Sequence, residues 1–468
     1  MTRKKAIVQG RFYPNNKDEI FSFISQHYLA DISLKDKGRI ILSPHAGYSF
    51  SGCVAAKAFS HLADDFETAL IIGTAHTTYL DKCALMKDFV FENSIGEVRS
   101  DDDIADELLK SGFFEDVPRA FSTEHSVEVQ IPFLQFKKKN FKIVPVVVNN
   151  NDKKLIDGAG KTIAEIMRKN DKVVVVISSD LSHYPAYEIA YVSDNALALS
   201  YEFSSVSKDV DYFILSEKLL FEKYKKKLDT VACGFVSMAI GLKAAIELGF
   251  VFKMIEYINS GDVNDMMRDE VVGYLGGLFC KEDKEFKFNL SDEEKKFLLH
   301  IARMSIEGYL KDKKELKLDY IQYPKLNLPC AVFVTLTLDG NLRGCIGSLT
   351  PHMLMADAVS EYAIKAAFDD PRFEPVSFEE FKRIKIEISL LSPLKRIKDL
   401  SEIKENLHGV YVKRGLMSAT YLPQVWEHFS NKKDFLKSLM NEKSSIGYHN
   451  ISDPQTEIYI YTVEKIKE

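Results

Sequence analysis

Three histidines follow three apolar runs. His45 comes after "GRIILS" (38–43), His76 after "TALIIG" (68–73) and His183 after "KVVVVIS" (172–178). Runs rich in β-branched residues, without apolar–polar alternation, fit parallel strands covered on both faces. The carboxyl ends of such strands share one edge, and α/β sheets bind ligands there. Imidazoles gathered at that edge suit metal ligation or proton transfer, because the neutral ring binds metals and its ordinary pKa lies near neutrality. A fourth run, "FKIVPVVV" (141–148), is followed only by asparagines. The spacing favours His45 and His76 as ligands, although either ring by itself also fits a loop histidine bonded to backbone. His183 is the better acid–base candidate. Asp180 ahead of it either orients it or starts the loop turn, since Asp bonds backbone readily.

Two more segments carry candidates. "STEHSVEVQIPFLQF" places Glu124 and His125 just ahead of a helical apolar pattern. "DTVACGFVSMAIGLKAAIELG" places Cys233 before Gly234 and a long apolar helix. Backbone N–H groups at a helix start favour thiolate, the form that binds metal. The other reading of a single cysteine is a small buried hydrophobe, and Cys53 and Cys83 are read that way. His27, His61, His300 and His428 sit in helical patterns and read as surface or core. Further on, "LRGCIG" puts Arg343, Gly344 and Cys345 on a Gly-flanked hairpin strand. Its glycines permit close approach by a ligand or a bulge. Cys345 is a nucleophile or a buried small residue, and Arg343 with Asp369, Asp370 and Arg372 can line a groove.

These residues need elements to hold them. Strand runs at 6–9, 38–43, 68–73, 141–148 and 172–178 alternate with helical patterns at 18–29, 51–63, 101–112 and 154–169. "FKMIEYINSG" and "VVGYLGGLFC" close the series as strands. This is an α/β domain with a mostly parallel central sheet, predicted over residues 1–281. A charged linker is predicted over 282–290. Ser291 and Glu294 then form an S-x-x-E capping box that opens a smaller α+β domain, predicted over 291–468. In that domain Asp339-Gly340 is a hairpin turn.

The totals set outer limits. The chain has 468 residues, a net charge of -6, 46% apolar and 28% charged residues. Mixed charge without a basic footprint argues against a nucleic-acid partner. No apolar stretch is long enough to span a bilayer, and no apolar segment follows the basic start. Six cysteines without a CxxC fit a reducing cytoplasm.

At this point the motifs form a set. "QGRFYP", "PHAGYSFSG", "GTAHTTY", "EHSVEVQIPFL", "SSDLSH" and "TVACGF" occur in the order seen in the Memo family (mediator of cell motility), which this region resembles. Memo proteins are similar in fold to class III extradiol dioxygenases and related non-haem-iron enzymes. The resemblance implies a metal site made by His45, His76 and Cys233, with Asp180 and His183 lining the same pocket and His125 near it. It favours iron(II), then copper, with zinc also possible. Those dioxygenases use two histidines and a carboxylate, and Cys233 at the third position departs from that pattern. "LRGCIGSLTP", "AAFDDPRFEPV", "KIEISLLSP", "HGVYV" and "ATYLPQVW" resemble the AMMECR-type domain. Genomes often set Memo-like and AMMECR-like proteins beside a radical-SAM protein, so the fusion implies a shared pathway and that protein as a partner.

The expected function is a metal-dependent redox or dioxygenase-like enzyme acting on a small molecule. His183, Asp180 and His125 are its catalytic candidates, and Tyr48, Tyr184 and Glu124 its substrate contacts. The alternatives are a peptide- or protein-binding module that uses the same cleft, and a metal-free nucleophilic enzyme built on Cys233 and His183.

Overall fold

The continuous apolar runs become strands buried on both faces. The computed structural model describes every residue except 283, 285 and 320. It divides into two compact units, Met1–Glu285 and Phe286–Glu468. The linker predicted over 282–290 falls in part outside the described residues, at 283 and 285.

The strands of the first unit are β1 (Thr2–Lys5), β2 (Ile40–Ser43), β3 (Thr68–Thr74), β4 (Cys83–Leu85), β5 (Phe89–Asn93), β6 (Gly96–Ser100), β7 (Phe114–Asp116), β8 (Lys142–Val148), β9 (Val173–Ser178), β10 (Val251–Asn259) and β11 (Gly273–Cys280). They form one sheet of eleven among the described residues, in the order β1-β5-β6-β8-β3-β9-β2-β11-β10, with β4 pairing β7 and β8. The centre, β8-β3-β9-β2, is parallel throughout. Ser43 pairs with Ser178, and Thr74 with Val148, so the loops that follow all leave from one edge.

Burial on both faces explains the missing alternation. Val174 and Val176 of β9 join Ala55 and Phe59 of the helix Tyr48–Ser60 in one core. Ile177 points the other way, onto Gly241 of the helix Phe235–Leu248, where a Cβ would collide with it. Successive strand residues face opposite sides, so both sets must be apolar here. The helices predicted at 18–29, 51–63, 101–112 and 154–169 are observed as Lys17–His27, Tyr48–Ser60, Asp102–Lys110 and Lys153–Lys169. Asn16, Asp101 and Asp152 cap three of them by accepting from backbone N–H groups in the first turn.

One expectation changes. The strand predicted at 6–9 lies instead at Thr2–Lys5. The N–H groups of Ile7 and Val8 donate to the buried Glu128 carboxylate, at 2.9 Å each at closest, rather than to a neighbouring strand. The helices Tyr187–Ser207 and Val210–Tyr224 were not predicted; their buried faces include serines and tyrosines such as Ser200, Tyr201, Tyr212 and Ser216 as well as apolar residues.

The second unit holds β12 (Ala331–Leu338), β13 (Asn341–Gly347), β14 (Lys385–Leu391), β15 (Lys395–Ile397), β16 (Gly409–Arg414), β17 (Met417–Tyr421), β18 (Glu457–Tyr461) and β19 (Val463–Lys467). They make two antiparallel sheets, β13-β12-β14-β19 and β15-β18-β16-β17. Ser291 caps the helix Asp292–Asp312 in a reciprocal box with Glu294. Asp339 (φ 52) and Gly340 (φ 84) both take positive φ, as a tight hairpin turn between twisted strands requires. The run "EIYIYTVEKI" divides at Thr462, so β18 and β19 join different sheets.

Gly344 of β13 lies against the helix Met355–Phe368, and a Cβ there would overlap the carbonyl oxygen of Ala366. Main-chain atoms cannot rotate away from such a clash. Gly344→Ala is expected to destabilise the second unit by about 1–3 kcal/mol, the cost typical of overpacking. Urea unfolding followed by the fluorescence of Trp426, the chain's one tryptophan, reads this unit directly.

Candidate metal centre

β2, β3 and β9 end side by side, and the next residues carry the polar groups. His45 lies two residues past β2 and is 1% exposed. Its backbone N–H donates to Asp180 Oδ1 at 2.8 Å. Its ring sits 3.0 Å from Ser178 Oγ at Nδ1 and 3.1 Å from Cys233 Sγ at Nε2. The Asp180 Oδ2 is 3.9 Å from the same Nε2. Burial, then the neighbouring His125 and His76 rings, holds the imidazole well below its ordinary pKa, in the neutral form a metal requires.

His76 follows β3 and is fixed by Glu124. The carboxylate accepts from the His76 backbone N–H at 2.8 Å, from Nδ1 at 3.0 Å and from the Ser126 N–H at 2.7 Å. Burial raises the Glu124 carboxyl, but the His76 ring and these N–H groups outweigh it and bring it down to about 2. Nδ1 therefore donates to an anion, which leaves Nε2 with its lone pair. Glu124 was expected to touch substrate. It is buried and fully engaged in holding His76, so it acts on the ring instead.

His125 stacks on His76, with centroids 4.8 Å apart, and meets His45 edge-on at 5.5 Å. Phe12 packs on its ring at 4.7 Å. Two overlapping groups of donors can hold an ion: His45, His76 and His125, and His45, Asp180 and Cys233. Within each group the ligand atoms all lie within 4.8 Å of one another. His45 belongs to both.

Cys233 precedes the helix Phe235–Leu248 as predicted, but its thiol is not activated by the helix start alone. Burial pushes the thiol well above its ordinary pKa, and the Asp180 carboxyl adds to this. A cation at the site would reverse that balance by favouring thiolate. Gly234 is required beside it, because a Cβ would lie 2.6 Å from Ser179 Cβ and 2.7 Å from the Ser178 carbonyl oxygen. Burial likewise pushes Asp180 up to about 7, against the pull of the His45 and Ala46 N–H groups.

His183 is held by main chain: its N–H donates to the Thr230 carbonyl at 3.1 Å, and its carbonyl accepts from the Asp229 N–H at 3.0 Å. Its Nε2 is buried with no hydrogen-bond partner. Among the described residues no bond joins it to Asp180, which turns to His45 instead. Tyr48 was expected to bond a ligand. Its hydroxyl donates to the Val129 carbonyl at 3.0 Å, and its ring packs on Tyr13, Phe23 and Phe133, so it is a core residue. Tyr184 is exposed, at φ 64, an unusual value for a bulky side chain. It lines a cleft of about 580 Å³ with Asp229, Lys225 and Glu270.

Sequence reasoning missed the supports. Asp194, fully buried in the helix Tyr187–Ser207, accepts from the Ser182 N–H (3.1 Å) and from the Ser182 (3.0 Å) and Tyr257 (2.9 Å) hydroxyls, fixing the loop beside His183. Nothing local marks this acid. Ser178 and Gln130 were missed too, although both lie inside the motifs that carry the histidines.

In the second unit, Arg343 donates from Nε and Nη2 to Glu380, at 2.9 and 3.1 Å. Cys345 donates its N–H to Asp370 at 2.8 Å, its carbonyl accepts from Arg372 at 3.2 Å, and Thr335 Oγ1 lies 3.3 Å from its sulfur. Of the two readings at Gly344, ligand approach is taken by the helix behind it, while the β12–β13 register shifts beside it, between Leu336 and Thr337, as a bulge.

A mixed, mostly parallel sheet with imidazoles, a carboxyl and a thiol at its carboxyl edge defines an α/β protein with a candidate metal centre. Residues 4–278 match the family described as Memo-like protein, and the chain belongs to it. Residues 299–466 match the family described as AMMECR1. MEMO1 family proteins from Aquifex aeolicus (30% identical over 281 residues) and Pyrobaculum aerophilum (33% over 295) each align with 60% of this chain and 100% of their own. The crystal structure of uncharacterized protein PH0010 from Pyrococcus horikoshii is similar over 38% of this chain and 93% of that one, at 34% identity and a TM-score of 0.35.

The Arg343–Glu380 pair gives a pH dependence. The Arg343 guanidinium, with the Ser377 N–H, holds the Glu380 carboxyl down to about 2. A carboxyl depressed on folding stabilises the fold fully above its ordinary range near pH ~4.3, and that stability is lost as pH falls towards 2. Glu380→Gln is expected to flatten the acid limb of second-unit stability in that window, measured by Trp426 fluorescence.

Proposed function

We propose that the first unit is a metal-dependent redox enzyme, dioxygenase-like in architecture, acting on a small molecule. One ion would be held by His45, His76 and Cys233. Iron(II) is the first choice, on the resemblance to non-haem-iron enzymes, with copper second and zinc third. Imidazole suits all three and thiolate favours the softer ions. The observation that carries this reading is convergence: four other segments remote in sequence bring donors to His45, with His76 in the group that includes His125 and Cys233 in the group that includes Asp180. The bound ion would supply Lewis-acid or one-electron chemistry at the positions left open.

The chain's own residues have separate tasks. His183 accepts a proton at Nε2, the buried atom without a partner. Burial depresses its pKa and keeps it neutral, ready to accept. His125 and Phe12 pack together and wall the cluster on one side. A metal-free Cys233–His183 nucleophile is less well supported, because the imidazole beside the sulfur is His45 and burial disfavours the thiolate.

The second unit would serve the same pathway, and a radical-SAM protein would be the partner of the fused chain. All six cysteines are free, which fits a reducing cytoplasm. No helix among the described residues is long and apolar enough to cross a membrane.

Elemental analysis of protein purified without oxygen tests the core of the proposal. About one equivalent of metal is expected. His45→Ala is expected to abolish retention, since both donor groups lose their shared member. His125→Ala and Asp180→Asn each leave one group whole and are expected to retain metal with about 10- to 100-fold weaker affinity, the range seen when a supporting residue is removed. Wild-type protein that still binds its ligand without stoichiometric metal would point to a recognition pocket instead.

A further inference from the structure

We propose that Ser178 sets the tautomer of His45 and thereby decides which ring nitrogen is offered to the ion; this rests on the metal-centre reading above. Ser178 ends β9, paired in register with Ser43. Its Oγ meets three groups: the Ser126 carbonyl at 2.6 Å, Gln130 Nε2 at 2.9 Å and His45 Nδ1 at 3.0 Å. A hydroxyl has one proton and two lone pairs. The carbonyl of Ser126 can only accept, so the proton goes there.

Gln130 is oriented by its second contact. Its Nε2 also lies 2.9 Å from the Pro44 carbonyl, another pure acceptor, so the amide NH₂ end faces both oxygens. It donates into one Ser178 lone pair. The lone pair that remains faces His45 Nδ1, which must bring the proton. Nε2 is then left bare, and Nε2 is the atom 3.1 Å from Cys233 Sγ. His45 is 1% exposed, and Ser126, Gln130 and Ser178 are 0% exposed, so water cannot replace any member of the set.

The two ligand rings thus reach the same tautomer by different means. His76 donates to a carboxylate, and His45 to a neutral hydroxyl. A carboxylate acceptor makes the ring a stronger donor than a hydroxyl does, so the two imidazoles would differ in basicity. Ser178 is a positioning residue. It has no place in either ligand group.

The test is the long-range proton–nitrogen spectrum of the full chain, ¹⁵N-labelled at histidine, metal-free and at pH 8. His45 is assigned by the signal lost in His45→Ala. In wild type it is expected as Nδ1–H. In Ser178→Ala it is expected to shift to Nε2–H or to a mixture, with His76 unchanged, and affinity for cobalt(II) is expected to fall about tenfold. Ser43→Ala removes an equally buried serine that does not touch the ring, and is expected to change neither. A wild-type His45 found as Nε2–H, or a Ser178→Ala variant that keeps Nδ1–H, overturns the proposal. If Ser178→Ala does not fold, the wild-type spectrum decides alone. Wild-type protein that shows Nδ1–H but binds no metal would refute the metal-centre reading and leave the tautomer assignment standing.

Discussion

The in-register parallel pairing of β2, β9 and β3 is the constraint on which the first unit depends. Because Ser43 lies opposite Ser178, and β3 pairs with β9 on its other side, the three strands release their chains at one level. His45, His76 and the Asp180 loop then emerge within a few residues of that level. A slip in register would carry each ring away from the others and turn strand side chains to the wrong face. The apolar core on both sides of the sheet fixes the register, so the packing of Val174, Val176 and Ile177 is also what positions the imidazoles.

Concentrating polar groups at a buried edge carries a cost. An unpaired buried polar group is destabilising by about 1–3 kcal/mol, and this edge holds His45, Ser126, Gln130, Ser178 and Glu124 almost out of water. The fold offsets it by pairing nearly every atom within the set. Glu124 receives three donors, Ser178 three partners, and Asp180 the His45 N–H. The exceptions stand out: His183 Nε2 and Gln130 Oε1 lack partners.

The same logic of buried acids runs through the walls. Glu128 ties down Ile7, Val8 and Tyr13, which brings the N-terminal segment and Phe12 over His125. Asp194 ties down Ser182 from a helix on the sheet's flank. Neither acid belongs to a candidate ligand group, and each fixes a segment that forms the pocket.

How much of this was legible follows from distance along the chain. The sequence by itself determined the strands at 38–43, 68–73, 141–148 and 172–178, the Ser291–Glu294 cap and the Asp339-Gly340 turn, because periodicity, capping and turn chemistry act over a few residues. It also brought His45 and His76 to one edge, since parallel strands have no other arrangement of their carboxyl ends. Tertiary structure alone decided which polar atom meets which. It turned Tyr48 into the core, drew Ile7 and Val8 onto Glu128 instead of into a strand, moved Asp180 from His183 to His45, and closed Gly344 with a helix. Those pairings join residues tens to more than a hundred positions apart, and a buried donor takes whichever acceptor the packed fold sets within about 3 Å of it.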